Sequence, residues 1–320
     1  MDGQSPARAG FADRAQAFVR DLPPLPRAVC LMIFAALMFQ SMNAVIRHVA
    51  HSGIHPFEVA FFRNIFGLVA LAPLILRNWT DAVRTNRFHL HLLRGVVNVV
   101  SMLCFFYSVS VTPLADVASL GFTLPLFVTV YAAILLKERL RARRLIALAI
   151  GIVGALMIVR PGSEDMNQGT LIVLFGTAAW GAALMIIKVQ SRTESPLNIT
   201  VWSSIMLALL SAIPAFFVWR WPDATQLLWM GLTGVLGTAG TLAMAQALRM
   251  TDASAIMPFD FVKFIWAALI GYLAFGELPD AWVWIGGVVI FCSTVYLTLR
   301  EAHLAREGRL RRDRDILPEA

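Results

Sequence analysis

Apolar runs of roughly 20 residues follow one another almost without interruption between residues 28 and 299, and roughly 20 residues is what a helix needs to cross the hydrocarbon core of a bilayer. A chain of 320 residues that is 58% hydrophobic and 15% charged, with a mean hydropathy of +0.69, has too little polar surface to cover a water-soluble globule. Its solvent is lipid. With no water to satisfy the backbone there, the spans must be helices or a closed barrel, and runs of this length select helices. The sequence therefore predicts an all-α membrane protein with spans near 28–50, 56–76, 92–111, 114–136, 144–160, 169–189, 197–219, 226–248, 254–275 and 281–299. Breaker signals separate them, among them His55-Pro56, Thr112-Pro113, Arg160-Pro161-Gly162, Ser195-Pro196, Trp221-Pro222 and Leu278-Pro279.

The formal charge of +7 does not point to nucleic acid, because the basic residues sit in short loops and tails rather than along one amphipathic face. Lys and Arg in short loops are retained on the cytoplasmic side. With the N-terminus inside, the cytoplasmic segments take nearly all of the basic residues, and the opposite side takes only Arg47, Arg160 and Arg220. Both termini are thus expected in the cytoplasm, with the chain a multi-pass protein of the cytoplasmic (inner) membrane. The first run is too long for a secretory signal and carries no cleavage pattern, so it is expected to remain. Residues 1–27 form a cytoplasmic tail in which Phe11, Ala15, Phe18 and Val19 recur at helical spacing, either an interfacial helix or a disordered tail, and residues 300–320 form a second tail. Cys30, Cys104 and Cys292 lie inside apolar runs without metal-ligand spacing, and His51 and His55 share a short loop with no further ligand. No phosphate-cradling glycine loop is present, so neither ATP, another cofactor nor a metal is expected.

Residues 28–160 and 169–299 resemble each other. Glu138 closes the fourth span as Glu277 closes the ninth, and Ala147 and Gly154 of the fifth span match Gly286 and Ser293 of the tenth. Arg47 precedes Pro56 much as Lys188 precedes Pro196, and the stretch around Ala115 answers that around Ala253. Five spans per half is an odd number, so the second half must run upside down relative to the first. The loop after Glu138 is strongly basic and the one after Glu277 carries acids instead, as that inversion requires. The predicted architecture is ten transmembrane helices in two inverted five-helix repeats.

Two five-helix units each closed by a Glu, the segment Asp252-Ala253-Ser254-Ala255 and the run Phe-Gly-Glu-Leu-Pro-Asp near the end resemble the EamA-type drug/metabolite transporter superfamily. The segments Phe61-Phe62-Arg63, His91-Leu92-Leu93-Arg94-Gly95 and Arg160-Pro161-Gly162 are similar to its bacterial metabolite permeases. The resemblance implies a ten-helix permease. Two offsets depart from the pattern: Ala147 stands where many members place Gly, and Pro125 has no aligned partner, the nearest being Pro258.

Ionisable groups within a span cost roughly 2.5–3.5 kcal/mol each on insertion scales, so they need a partner or a watery cavity. Asp260 and Lys263 share one helical face three residues apart, either as a substrate-facing pair, with Asp260 able to exchange a coupling proton, or as a static salt bridge. Arg63 either binds an anionic group or pairs with Glu58 or snorkels outward. Gln40 with Asn43, and Asn98 with Ser101, either line a cavity or bond neighbouring helices. Trp180 and Tyr107 offer stacking faces or simple packing. Gly231, Gly234, Gly237 and Gly240 form a strip for close helix approach. Glu138 and Glu277 read as helix-end carboxylates that cap turns or pair with arginines.

The expected function is secondary transport of a small metabolite, anionic or zwitterionic, by alternating access, through a site built from Gln40, Arg63, Asn98, Trp180, Asp260 and Lys263. The partners are that metabolite, the lipid bilayer and a coupling proton, and the protein is a monomer or homodimer. A membrane enzyme or lipid-handling subunit is the rival reading, against which no convergent catalytic groups are found. A passive channel is a further rival.

Overall fold

In the computed structural model the described residues are 24–77, 85, 87–136, 142–160, 167–190, 193–194, 196–250, 257–296 and 299. The expected interfacial segment up to residue 23, Glu138, the 252–255 segment and the C-terminal tail lie outside them. Among the described residues every regular element is helical: α1 (Pro24–His51), α2 (Pro56–Arg77), α3 (Phe88–Val111), α4 (Leu114–Gly121), α5 (Leu124–Leu136), α6 (Ala142–Val159), α7 (Gln168–Gln190), α8 (Pro196–Phe217), α9 (Ala224–Met250), a 3₁₀ turn (Met257–Phe261), α10 (Val262–Phe275) and α11 (Ala281–Tyr296). Six segments are long and apolar enough to cross a membrane, Leu25–His51, Phe88–Val111, Leu114–Ile134, Gln168–Gln190, Asn198–Phe217 and Ala224–Met250. Shorter apolar helices, Leu145–Val159 and Ala281–Tyr296, accompany them.

Polarity is turned inside out. Val69, Phe175, Phe216, Leu228 and Leu273 stand exposed on the outer faces, whereas Gln40, Asn43, Asn64, Asn98, Thr177 and Ser211 are buried. Lipid tails solvate the first group; of the second, Asn64 Nδ2 donates across a seam to the Leu207 carbonyl at 3.3 Å, whereas Asn43 donates to Gln40 and Thr177 to the Val173 carbonyl within their own helices, and buried Ser101 Oγ crosses another seam to the Gly176 carbonyl at 2.8 Å.

Two differences from the expected spans have local causes. The first helix begins at Pro24 rather than near residue 28, because proline at a first helical position loses only a donor that has no acceptor there. The stretch 114–136, expected as one span, is interrupted after Gly121. The N–H groups of Phe122 and Thr123 tighten onto Ser119 and Leu120 carbonyls at 3.1 and 3.0 Å, and Pro125 supplies no donor to continue the ladder. The segment ahead of α10 likewise opens with a 3₁₀ turn that contains Pro258 and Asp260.

The principal seams pair α1 with α9, α3 with α7, and α2 with α8; α10 lies on α1, as α5 lies on α7. Glycine allows a further close seam. A methyl group at Gly154 would meet the Gly286 carbonyl at 3.0 Å, and one at Gly286 the Gly154 carbonyl at 2.7 Å, so α6 and α11 touch backbone to backbone. On the same seam Ser293 Oγ donates to the Ala147 carbonyl.

Candidate functional site

The glycine strip of α9 organises the charged centre. Gly237 faces α1 and α2 together: a β-carbon there would lie 2.9 Å from Met42 Sδ and 3.1 Å from Arg63 Nη2. One turn on, about 4.5 Å further along the axis, a β-carbon at Gly240 would lie 3.0 Å from the Phe39 ring. The absence of side chains at these two rungs lets the guanidinium and the ring lie against the α9 backbone. Lys263 Nζ stands 5.8 Å from the centroid of that same Phe39 ring, within range of a cation–π attraction, and pairs with Asp260. Arg63 and the Lys263–Asp260 pair, which come from α2, α10 and the 3₁₀ turn, are therefore tied to two successive rungs of helix α9, Arg63 at Gly237 and Lys263 through Phe39 at Gly240.

The charges at this centre do not balance. Lys263 has Asp260, both about a quarter exposed. Arg63 has only a neutral acceptor, donating from Nη1 to Asn64 Oδ1 at 3.3 Å, and no carboxylate pairs with it among the described residues. Pairing with Glu58 does not occur: both Glu58 oxygens are buried without a hydrogen bond among the described residues. Among the described residues this centre thus holds two cationic groups and one carboxylate, and on the α1 helix that flanks it Asn43 Nδ2 donates to Gln40 Oε1 at 2.9 Å.

Two expected site residues lie on other seams. Asn98 donates to Ser203 Oγ at 3.4 Å, across to α8, and Trp180 is half-buried on α7 beside Gly181, which faces Phe127 and Tyr131 of α5. Tyr107 accepts the Ser110 hydroxyl at its backbone carbonyl, and Cys30 and Cys292 are exposed on the outside of the bundle. No cluster of three or more His, Cys, Asp or Glu able to hold a metal occurs among the described residues.

The structure also assembles two polar knots that sequence reasoning missed as units. At one, Arg47 pairs with Glu277 and donates to the Thr112 carbonyl at 3.0 Å, while Glu277 Oε2 accepts the Leu114 N–H at 3.1 Å. The Arg47 guanidinium lies 4.9 Å over the Phe275 ring. At the other, His91 Nε2 lies 2.5 Å from Glu194, Gln190 Nε2 donates to His91 Nδ1 at 3.1 Å, and Arg94 Nη1 donates to the Ile199 carbonyl at 2.9 Å. Trp202 stacks on the His91 ring at 5.5 Å. His91 itself is 2% exposed, in the first turn of α3. Glu277 does what a helix-end carboxylate was expected to do, although its arginine comes from the far end of the chain.

The sequence pattern of the EamA-like transporter family matches residues 26–160 and again residues 167–299. The chain is 27% identical to an S-adenosylmethionine uptake transporter of Rickettsia prowazekii over 85% of its length and 92% of the relative's. It is 27% identical to a riboflavin transporter of Vibrio cholerae over 87% of its length and 95% of the relative's. A solved crystal structure overlays on 87% of this chain and 98% of its own at a TM-score of 0.55 and 18% identity, a likeness of fold alone. The matched family and the relatives are transporters, which leaves the enzyme reading without support. With both halves of its length matched, this multi-pass helical membrane protein belongs to the EamA-like transporter family.

Proposed function

We propose that the protein is a secondary carrier of a small zwitterionic metabolite, working by alternating access through the Arg63–Lys263–Asp260 centre. The observation that carries this reading is the Arg63 guanidinium, set among helices against bare α9 backbone with only Asn64 as acceptor. A carboxylate from a ligand would complete it with charge-assisted bonds, and the Asp260 carboxylate is placed to meet the cationic part of the same molecule. S-adenosylmethionine, which bears a carboxylate beside two cationic groups, fits this charge pattern better than uncharged riboflavin. Gln40 and the amides near it supply neutral contacts, while Asn98 and Trp180 enter the site only as the seams around α7 and α8 open.

Alternating access rests on ten helices in two inverted repeats, and the contacts of the described residues support that symmetry. The register that matches Ala147 with Gly286 also matches Gly154 with Ser293. Exchanging each residue for its counterpart turns the Ala147–Ser293 contact into the Gly286–Gly154 contact, which is how a two-fold axis acts. The same register matches Phe122 with Phe261, and these rings stack on one another at 5.6 Å, as residues beside the axis should. The α1–α9 and α3–α7 seams exchange under the same operation, and so do α1–α10 and α7–α5. Two such halves can trade conformations, giving states open to either side at similar energy. The N-inside orientation and inner-membrane location follow from the basic loops.

The test is uptake of labelled S-adenosylmethionine into proteoliposomes, with riboflavin as the uncharged comparator. Saturable uptake that falls about tenfold or more in Arg63→Ala and in Lys263→Ala is expected from the loss of a charge-assisted contact. Unchanged uptake of every transported compound in both variants would overturn charge recognition.

A further inference from the structure

We propose that the Arg47–Glu277 ion pair is the gate that seals one end of the access path, while the His91–Glu194 knot seals the other; the proposal rests on the carrier reading above. Both knots are fastened to the same helix. His91 and Arg94 lie at the start of α3 and Thr112 follows its end, so they are separated by about 30 Å of helical rise, the thickness of the hydrocarbon core. The charged centre lies between them.

The Arg47–Glu277 knot is built from the two helices that carry that centre. Phe39, Asn43 and Arg47 follow one another at four-residue steps along a single face of α1. Lys263 lies at the start of α10, which rests on α1, and Glu277 follows the glycine that ends it. Separating the Arg47 and Glu277 ends of α1 and α10 therefore uncovers a route leading past Asn43 to Phe39 and Lys263. Asn43 is 5% exposed, and its Oδ1 has no hydrogen-bond partner among the described residues.

The closure is keyed as well as charged. Gly276 adopts φ +70, a left-handed conformation that ends α10 and turns the next residue back over its last turn. Glu277 thus comes to lie over Gly271, where a β-carbon would stand 3.1 Å from Oε2. From there it accepts the Leu114 N–H at the start of α4 and pairs with Arg47, whose other hydrogen bond goes to Thr112. One carboxylate ties α1, the α3–α4 turn and α10 together. With side-chain exposures of 12% and 14%, removing either charge leaves the other largely buried and without its direct partner, Asp116 being the remaining carboxylate near Arg47. This makes the pair a discrete latch with one closed arrangement.

The test is thiol accessibility and needs no substrate. In a chain freed of Cys30, Cys104 and Cys292, Asn43→Cys is the reporter, and intact cells are exposed to a membrane-impermeant maleimide. With Arg47 and Glu277 present, slow labelling is expected. Glu277→Gln and Arg47→Gln should each speed it about tenfold or more, the range over which a minor open state becomes a common one. Arg47→Lys, which keeps the charge and a donor for the Thr112 carbonyl, should keep labelling slow, and the neutralised variants should label fast while still eluting as single sharp species in detergent, which separates gating from misfolding. Equal labelling rates in the parent and both neutralised variants would overturn the proposal, as would fast labelling of Arg47→Lys in protein that elutes as a single sharp species in detergent. If the carrier reading alone were wrong, labelling would follow the latch while no compound showed saturable uptake.

Discussion

At Gly237 the balance between packing and binding rests on a single hydrogen atom. Replacing it by a methyl group forces Met42 and the Arg63 guanidinium to give way, so Gly237→Ala is expected to raise the KM for transport several-fold and to cost about 1–3 kcal/mol of stability. Gly231→Ala is the matched control: its nearest neighbour, Phe66, lies 3.9 Å from the added carbon, so both KM and thermal stability should hold. At the other knot, His91→Ala leaves Glu194 a buried carboxylate without its imidazole, with an expected loss of about 3 kcal/mol that a thermal unfolding series in detergent would show. These residues were legible to different degrees. Asp260 and Lys263 announce themselves because their partner is three residues away and charge in an apolar run is conspicuous. The Arg47–Glu277 and His91–Glu194 pairs join residues far apart in sequence, and each member taken alone looks like an ordinary loop-side charge. Asn98 reads the same whether it lines a cavity or bonds a neighbour, and only the contact with Ser203 shows the bond across to α8.

Among the helices, hydropathy marks a segment that lipid can solvate but is blind to how the backbone runs within it. The predicted spans therefore run straight through the interruption after Gly121 and the 3₁₀ turn before α10, because the polar residues there, Thr123 and Asp260, are too few to end an apolar run. Seams are legible where glycine and serine stand at matching offsets, and the α6–α11 contact joins the four positions that the repeat picks out, Ala147, Gly154, Gly286 and Ser293. Gly154→Leu and Gly286→Leu are each expected to destabilise the fold, by about 1–3 kcal/mol or more, because a backbone-to-backbone contact has no room to absorb a branched side chain. Ser293→Ala should be milder, about 1 kcal/mol, the value of one hydrogen bond. Thermal unfolding of the three variants in one detergent would rank them, and a ranking that put Ser293→Ala first would argue against close approach as the function of that seam.

For the molecule as a whole, the apolar runs carry the membrane assignment, whereas the proposed mechanism rests on the repeat and the proposed cargo on the unbalanced charge at Arg63. The proposed two-fold relation matters most, because two halves that exchanged roles would form a carrier with two end states and not a pore. A carrier returns faster when loaded, whereas a pore does not. Proteoliposomes preloaded with unlabelled S-adenosylmethionine and diluted into a trace of the labelled compound test this directly. The account predicts transient accumulation of label above equilibrium, saturating with concentration and abolished by Arg63→Ala. Label that only equilibrates, at a rate linear in concentration and indifferent to preloading, while riboflavin behaves the same way, would contradict it.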